Sequence, residues 1–151
     1  MGEVEKFSRA LSKFEKVALD TMCFAYYFEK NEYFFSLCEV IFQKLDVGKI
    51  NAVTSILALA EVLVSPKKIQ DIYTESIYKK VFFSHPYIQT VNFGFEIADL
   101  CASLRAKYNL KTPDAIHLAT AISSDAKALI TNDPKLKQIK EMPVLVLREY
   151  L

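Results

Sequence analysis

"KTPDAIHLATAISSDAKALITND", Lys111 to Asp133, holds two unlike patterns in one line. Its first half reads as a helix. Thr112 stands where an N-cap belongs, and Pro113 suits the first helical position. Ala115, Ile116, Leu118, Ala119, Ala121 and Ile122 supply an apolar surface at helical spacing. The second half, "KALITND", is a short apolar run ending in an acid, as a strand buried on both faces would be. A helix joined to a buried strand with no hairpin turn is a building unit of a parallel sheet. Asp114 and His117 interrupt the apolar surface of the helix, and that interruption has to be explained.

The same alternation runs outward in both directions. Toward the N-terminus lie a helix at "GFEIADLCASLRAKYN", a strand at "IQTVNF" (88–93) and an amphipathic helix at "KKIQDIYTESIYKKVFF". Before these come an apolar helix, "ILALAEVLV" (56–64), broken by Glu61 and closed by Pro66, and a strand, "INAVTS" (50–55). "CFAYYFEK" and "EYFFSLCEVIFQKL" read as two helices, the second ended by Gly48 in C-cap fashion. "KVALD" (16–20) is the first strand, and residues 3–14 form a short helix through Val4, Phe7, Leu11 and Phe14. Toward the C-terminus, "PVLVL" (143–147) is the last strand. The pattern predicts an α/β sandwich, a parallel sheet covered on both faces, with ligands bound outside the carboxyl ends of the strands.

The chain has 151 residues, the size of one domain, and 52% are hydrophobic, enough for a sizeable core. Nineteen Lys and Arg against eighteen Asp and Glu give a net charge of +1, which excludes a strongly basic nucleic-acid binder. A nuclease stays open, because an acidic cluster can cancel a basic rim in the total. Cys23, Cys38 and Cys101 are far apart, with no zinc spacing, and read as buried free thiols in a reducing compartment. No apolar run reaches the ~18 residues of a membrane span, and Met1 to Lys16 is charged throughout, unlike a signal peptide. The expected location is the cytoplasm.

Four acids stand out. Asp20 and Asp133 end strands, so both belong at the carboxyl edge. Glu61 is the only charge between Ile50 and Ser65, and Asp114 lies in the first turn of its helix. Each has an ordinary explanation: Asp20 and Asp133 as caps or turn residues, Asp114 as a complement to the helix dipole, Glu61 as a side chain reaching solvent at a helix edge. Together at one edge they would repel and raise one another's pKa, and a divalent ion is the natural compensation. Oxygen-only ligands favour a hard ion, Mg²⁺ or Mn²⁺. Such an ion on carboxylates suits phosphodiester hydrolysis, and no glycine-rich nucleotide loop is present.

"VALDT" before an apolar helix, the acid inside "ILALAEVL", "KTPDAIHLATAI" and "ALITND" stand in the order and rough spacing of the PIN-domain family. The chain resembles its VapC-like branch, the toxin ribonucleases of toxin–antitoxin pairs, over residues 17–147. The resemblance implies a three-layer α/β/α sandwich with a central, mostly parallel sheet. It implies a single domain over 1–151, with 1–16 as an extra N-terminal helical extension. It implies that Asp20, Glu61, Asp114 and Asp133 hold one or two Mg²⁺ or Mn²⁺ ions for RNA cleavage, with the Thr131 hydroxyl near them. Met22 departs from the family, which often has Asn there, and a thioether cannot orient a carboxylate or water as an amide does. His117 reads as a structural histidine rather than a ligand. RNA is the implied substrate, an antitoxin and a second copy of the chain the implied partners, and no membrane is involved.

Lys67, Lys68, Lys79, Lys80, Lys107 and Lys111 are candidate RNA contacts, though most read first as solvated helix faces. The aromatics Tyr26, Tyr27, Phe28, Tyr33, Phe34 and Phe35 read as core or interface before base stacking. Two other readings compete with the ribonuclease. One is a catalytically weakened PIN-like module that binds RNA or protein. The other is a small Mg²⁺ phosphatase, disfavoured by the lack of a DxD nucleophile motif.

Overall fold

The computed structural model describes residues 2–151. In chain order it forms α1 (Glu3–Leu11), β1 (Lys16–Leu19), α2 (Thr21–Phe28), α3 (Phe35–Asp46), β2 (Asn51–Ser55), α4 (Ile56–Val62), α5 (Val64–Lys68), α6 (Ile72–Ser84), β3 (Ile88–Val91), α7 (Phe95–Tyr108), α8 (Thr112–Ser123), β4 (Ala128–Thr131) and β5 (Val144–Val146). Single 3₁₀ turns cover Pro134–Gln138 and Leu147–Tyr150. The five strands pair in the order β3-β2-β1-β4-β5, every pair parallel. β1 is central: Val17 lies opposite Ala52 on one side and Ala128 on the other.

Alternation along each strand divides the core in two, because successive side chains point to opposite faces. Val17, Leu19, Ala128, Ile130 and Leu145 join Phe24, Ile41, Phe42 and Tyr78 beneath α1–α4 and α6. Ala18, Val53, Leu129, Val144 and Val146 face the other way, onto Ile97, Cys101 and Leu104 of α7 and Ala115, Leu118 and Ala119 of α8. This is the expected three-layer α/β/α arrangement. The aromatic stretch lies largely in the first layer, where Tyr27 stacks on Phe35 and Phe42 at centroid distances of 5.4 and 4.4 Å. Tyr33 is left in solvent.

The N-terminal helix is part of this core. Phe7 and Leu11, one turn apart, are fully buried, and Phe7 meets Tyr150 edge-on at 5.1 Å. Gly48 has φ +72° just past α3, a left-handed conformation that favours glycine. A Cβ there would come within 2.7 Å of the Tyr87 ring. The three cysteines are buried and free. Burial pushes the Cys38 thiol up to about 12 and that of Cys23 well above its ordinary value, so neither is a reactive thiolate. Among the described residues, no helix is long and apolar enough to cross a membrane.

Three local expectations are corrected. Pro66 does not close a helix over 56–64. α4 stops at Val62, and Pro66 sits inside α5, whose early N–H groups have no intrahelical partner to lose. The amphipathic helix does not begin at Lys67. The chain turns at Gln70, with φ +57°, and Asp71 caps α6 by accepting from the Thr74 N–H at 3.0 Å. Thr112 does not cap α8: it is the first helical residue, and Lys111 holds the cap position without a side-chain bond. Glu61 does reach solvent at the edge of its helix, where Ala60 and Glu61 are both exposed.

Candidate active site

Strand direction sets where the site forms. β1 ends at Leu19 and β4, its neighbour, at Thr131, so Asp20 and Asp133 emerge side by side at the carboxyl edge. α8 feeds into β4 and must run against it, which brings its first turn, with Asp114, to the same edge. Asp20, Asp114 and Asp133 line one open pocket of about 450 Å³ with Met22, Tyr26 and Thr131.

Each carboxylate is positioned by local bonds. Asp20 caps α2, one oxygen accepting from the Met22 N–H at 3.1 Å and from the Cys23 thiol at 3.6 Å. Its other oxygen accepts from the Thr131 hydroxyl at 2.6 Å. The Asp133 N–H donates to that same hydroxyl at 3.2 Å, and the Asp133 carboxylate caps the following turn through the Lys135 N–H at 2.9 Å. The ordinary capping explanations for Asp20 and Asp133 are therefore realised, and the same bonds aim both side chains at one pocket.

Burial raises the pKa of Asp20 against the hydrogen bond from Thr131 and the field of His117. Burial raises that of Asp114 as well, and the charge of Asp133 adds to it, with a smaller push from Asp20 and a partial offset by His117 and Lys111. Burial thus acts on both carboxyls, and like charge acts on Asp114.

Glu61 does not line this pocket. Its Oε1 accepts from the Thr21 hydroxyl at 2.5 Å and lies 3.4 Å from His117 Nε2, which is itself 3.2 Å from the Thr21 oxygen. The bond to His117 is the main reason its pKa falls, with Thr21 assisting against burial. Thr21 is the residue after Asp20, so Glu61 joins the pocket through Thr21 and His117 rather than by facing it. Because Thr21 gives its one proton to Glu61, Nε2 must be the donor on the His117 side. His117 Nδ1 is buried with no partner, and the Nε2–H tautomer is the one that leaves no buried N–H unpaired there. His117 is thus a buried positioning group one turn from Asp114.

The donor set suits a hard cation in chemistry: carboxylate and hydroxyl oxygens, with no thiolate in the pocket. Among the described residues, no three Asp, Glu, His or Cys side chains converge closely enough to form a ready-made metal cage. Mg²⁺ does not need one, since it keeps several waters and is commonly held by one or two carboxylates plus substrate phosphate.

Three of the lysines expected to contact RNA are engaged in ion pairs instead. Lys67 and Lys79 both pair with Glu75, and Lys107 pairs with Glu141. Lys111 acts only as a nearby charge on Asp114. Lys135 and Arg148 line the pocket instead. Neither carried a motif. Lys135 follows "TND" directly, and that adjacency was the available signal; Arg148 reaches the pocket only through the position of β5.

The PIN domain family model matches residues 17–142. No curated protein matches the chain in sequence. Among solved structures, a toxin–antitoxin complex from Klebsiella pneumoniae is similar with a TM-score of 0.64 and 26% identity, covering 86% of this chain and 96% of that one. VapBC2 from Rickettsia felis, bound to a DNA fragment from its promoter, gives 0.66 and 18%, covering 87% and 98%. VapC20 from Mycobacterium tuberculosis, a sarcin–ricin loop cleaving toxin, gives 0.62 and 9%, covering 75% and 86%.

Proposed function

The chain belongs to the PIN domain family, and from that premise we propose that it is a Mg²⁺- or Mn²⁺-dependent endoribonuclease, the toxin of a toxin–antitoxin pair. The observation that carries the reading is the convergence of Asp20, Asp114 and Asp133 on one pocket at the carboxyl edge, with the first two pushed up in pKa. Acids held together against their own repulsion are costly without a cation to neutralise them. Asp20, Asp114 and Asp133 would hold the ion, with Glu61 contributing from beside Thr21.

Bound there, the ion supplies Lewis-acid polarisation of a phosphate and a water acidified toward neutral pH. The protein supplies orientation. The Thr131 hydroxyl fixes one Asp20 oxygen and is itself fixed by the Asp133 N–H, so the two strand-end acids move as one unit. Thr21 and His117 do the same for Glu61. Asp114, half-buried beside Asp133 at the start of α8, would give up its proton to the ion it helps hold.

The solved toxin–antitoxin complexes among the similar structures support an antitoxin as partner, and we extend the reading to a homodimer, one domain per chain, in the cytoplasm. Met22, exposed at the pocket where an amide would hold water, favours one other reading, a PIN-like module that binds RNA without cutting it.

Purified protein incubated with a mixed RNA pool and Mn²⁺, beside Asp114→Asn, separates the two. Cleavage that needs the ion and disappears in the variant is the expected result. RNA binding with no turnover under any divalent ion would leave the binding module standing.

A further inference from the structure

The cationic side of the pocket is built with care. Arg148 lies in the turn that follows β5. Its backbone N–H donates to Asn132 Oδ1 at 2.8 Å, and its side-chain Nε donates to the same oxygen at 3.3 Å. Asn132 is only 5% exposed, and its amide nitrogen donates to the Tyr26 hydroxyl at 3.0 Å. Tyr26 in turn stacks on Phe34 at 4.7 Å. A buried amide thus fixes the arginine at two points and is itself braced by a packed aromatic ring.

With Nε held, the plane of the guanidinium is set, and its two terminal nitrogens form no hydrogen bond or ion pair among the described residues. Arg148 nevertheless lines the same pocket as three carboxylates. An arginine free to collapse onto an acid would normally do so. Here it is held back, and the Lys135 ammonium beside it is likewise without an ion pair among the described residues.

We propose that Arg148, held by Asn132, anchors a backbone phosphate of RNA next to the phosphate presented to the carboxylates. The inference rests on the ribonuclease reading above and names how that site grips its substrate. A guanidinium fork matches two phosphate oxygens, and fixing Nε orders it in advance. A ligand that places one phosphate against acid-held cations and a second against a fixed arginine is a chain of regularly spaced phosphates. Arg148 is a positioning residue for binding, and Asn132 positions Arg148.

The test is binding of a labelled single-stranded RNA by the full chain, followed by anisotropy over a salt series. Asp114→Asn serves as the parent and EDTA is present, so neither cleavage nor the ion enters. Arg148→Gln should weaken binding about tenfold and reduce the slope of log affinity against log salt by roughly 0.7, one phosphate contact on a single strand. Arg148→Lys should keep the slope while losing several-fold in affinity, because an ammonium cannot fork. Asn132→Ala, which keeps the charge but frees it, should lose affinity as Arg148→Lys does. Lys13→Gln, just before β1 at the opposite edge of the sheet, should change neither quantity. If Arg148→Gln keeps the parent's affinity and slope while the native protein cleaves RNA, the anchor is overturned and the nuclease stands. If Arg148→Gln shows both losses but the native protein never cleaves, the anchor stands and the nuclease falls. No measurable RNA binding by the parent overturns the anchor, and the nuclease falls with it only where the native protein also fails to cleave with Mn²⁺.

Discussion

Asp114 occupies a position that is favourable for a helix and unfavourable for a cluster. In the first turn of α8 it complements the helix dipole. Burial and Asp133 nevertheless raise its pKa above the ordinary carboxylate value. The folded protein therefore keeps this proton to a higher pH than the unfolded chain does. The resulting stability is present below the ordinary value and is lost as pH rises through the raised one. Glu61, lowered chiefly by His117, runs the other way: its contribution is present above the ordinary value and is lost on acidification. Comparing Asp114→Asn with the native chain isolates the first effect. In EDTA, the variant should melt at the native temperature at acid pH and above it at neutral pH, as thermal melts across that range would show. A variant that melts lower at neutral pH would mean Asp114 is stabilising as a capping charge alone. All four acids were visible in the sequence because each stands out against an apolar stretch. Arg148 was not visible. Its meaning depends on Asn132, 16 residues earlier, and on the pairing of β5 with β4, which no local pattern carries.

At the level of elements, strands and helices were legible where burial is lopsided. "KVALD", "INAVTS" and "ALITND" read as strands because each has a short apolar centre between helical stretches, as a strand buried on both faces would. The missed boundaries share a cause. Pro66 and Thr112 were read by local preference, but each lies in the first turn of a helix, α5 and α8 respectively, where a proline or threonine costs little. Gly48 is the opposite case, a boundary that only glycine fits well. Gly48→Ala should destabilise by about 1–3 kcal/mol from the left-handed backbone. The contact with the Tyr87 ring adds to this, although that ring is exposed enough to shift. Chemical denaturation should show a lower midpoint with an unchanged slope. Residual activity under native conditions should be retained, since Gly48 precedes β2 at the edge away from the pocket.

For the whole molecule, the proposed cation would offset the repulsion among acids that the fold brings to one pocket. An ion that binds only the folded pocket stabilises it by mass action, about 2.7 kcal/mol at a concentration one hundred times its Kd. That corresponds to a rise in Tm of roughly 5–10 °C for a chain of this size. The rise with Mn²⁺ should be larger at pH 7.5 than near pH 5, because Asp20 and Asp114 hold protons more tightly than ordinary carboxylates and the ion must displace them. Asp114→Asn should lose most of it. A Tm indifferent to saturating Mn²⁺ would remove the metal from the account.

The central place of β1 has a bearing on how such a chain is made. β1 emerges from the ribosome early and finds β2 soon after, but its other neighbour, β4, is more than a hundred residues downstream. Until β4 arrives, Asp20 has no Thr131 to hold it, and neither Asp133 nor the start of α8 stands beside it. On the ribonuclease reading proposed above, a nascent chain of this topology cannot assemble its pocket until nearly the last strand is in place, so its own order of synthesis would keep it disarmed.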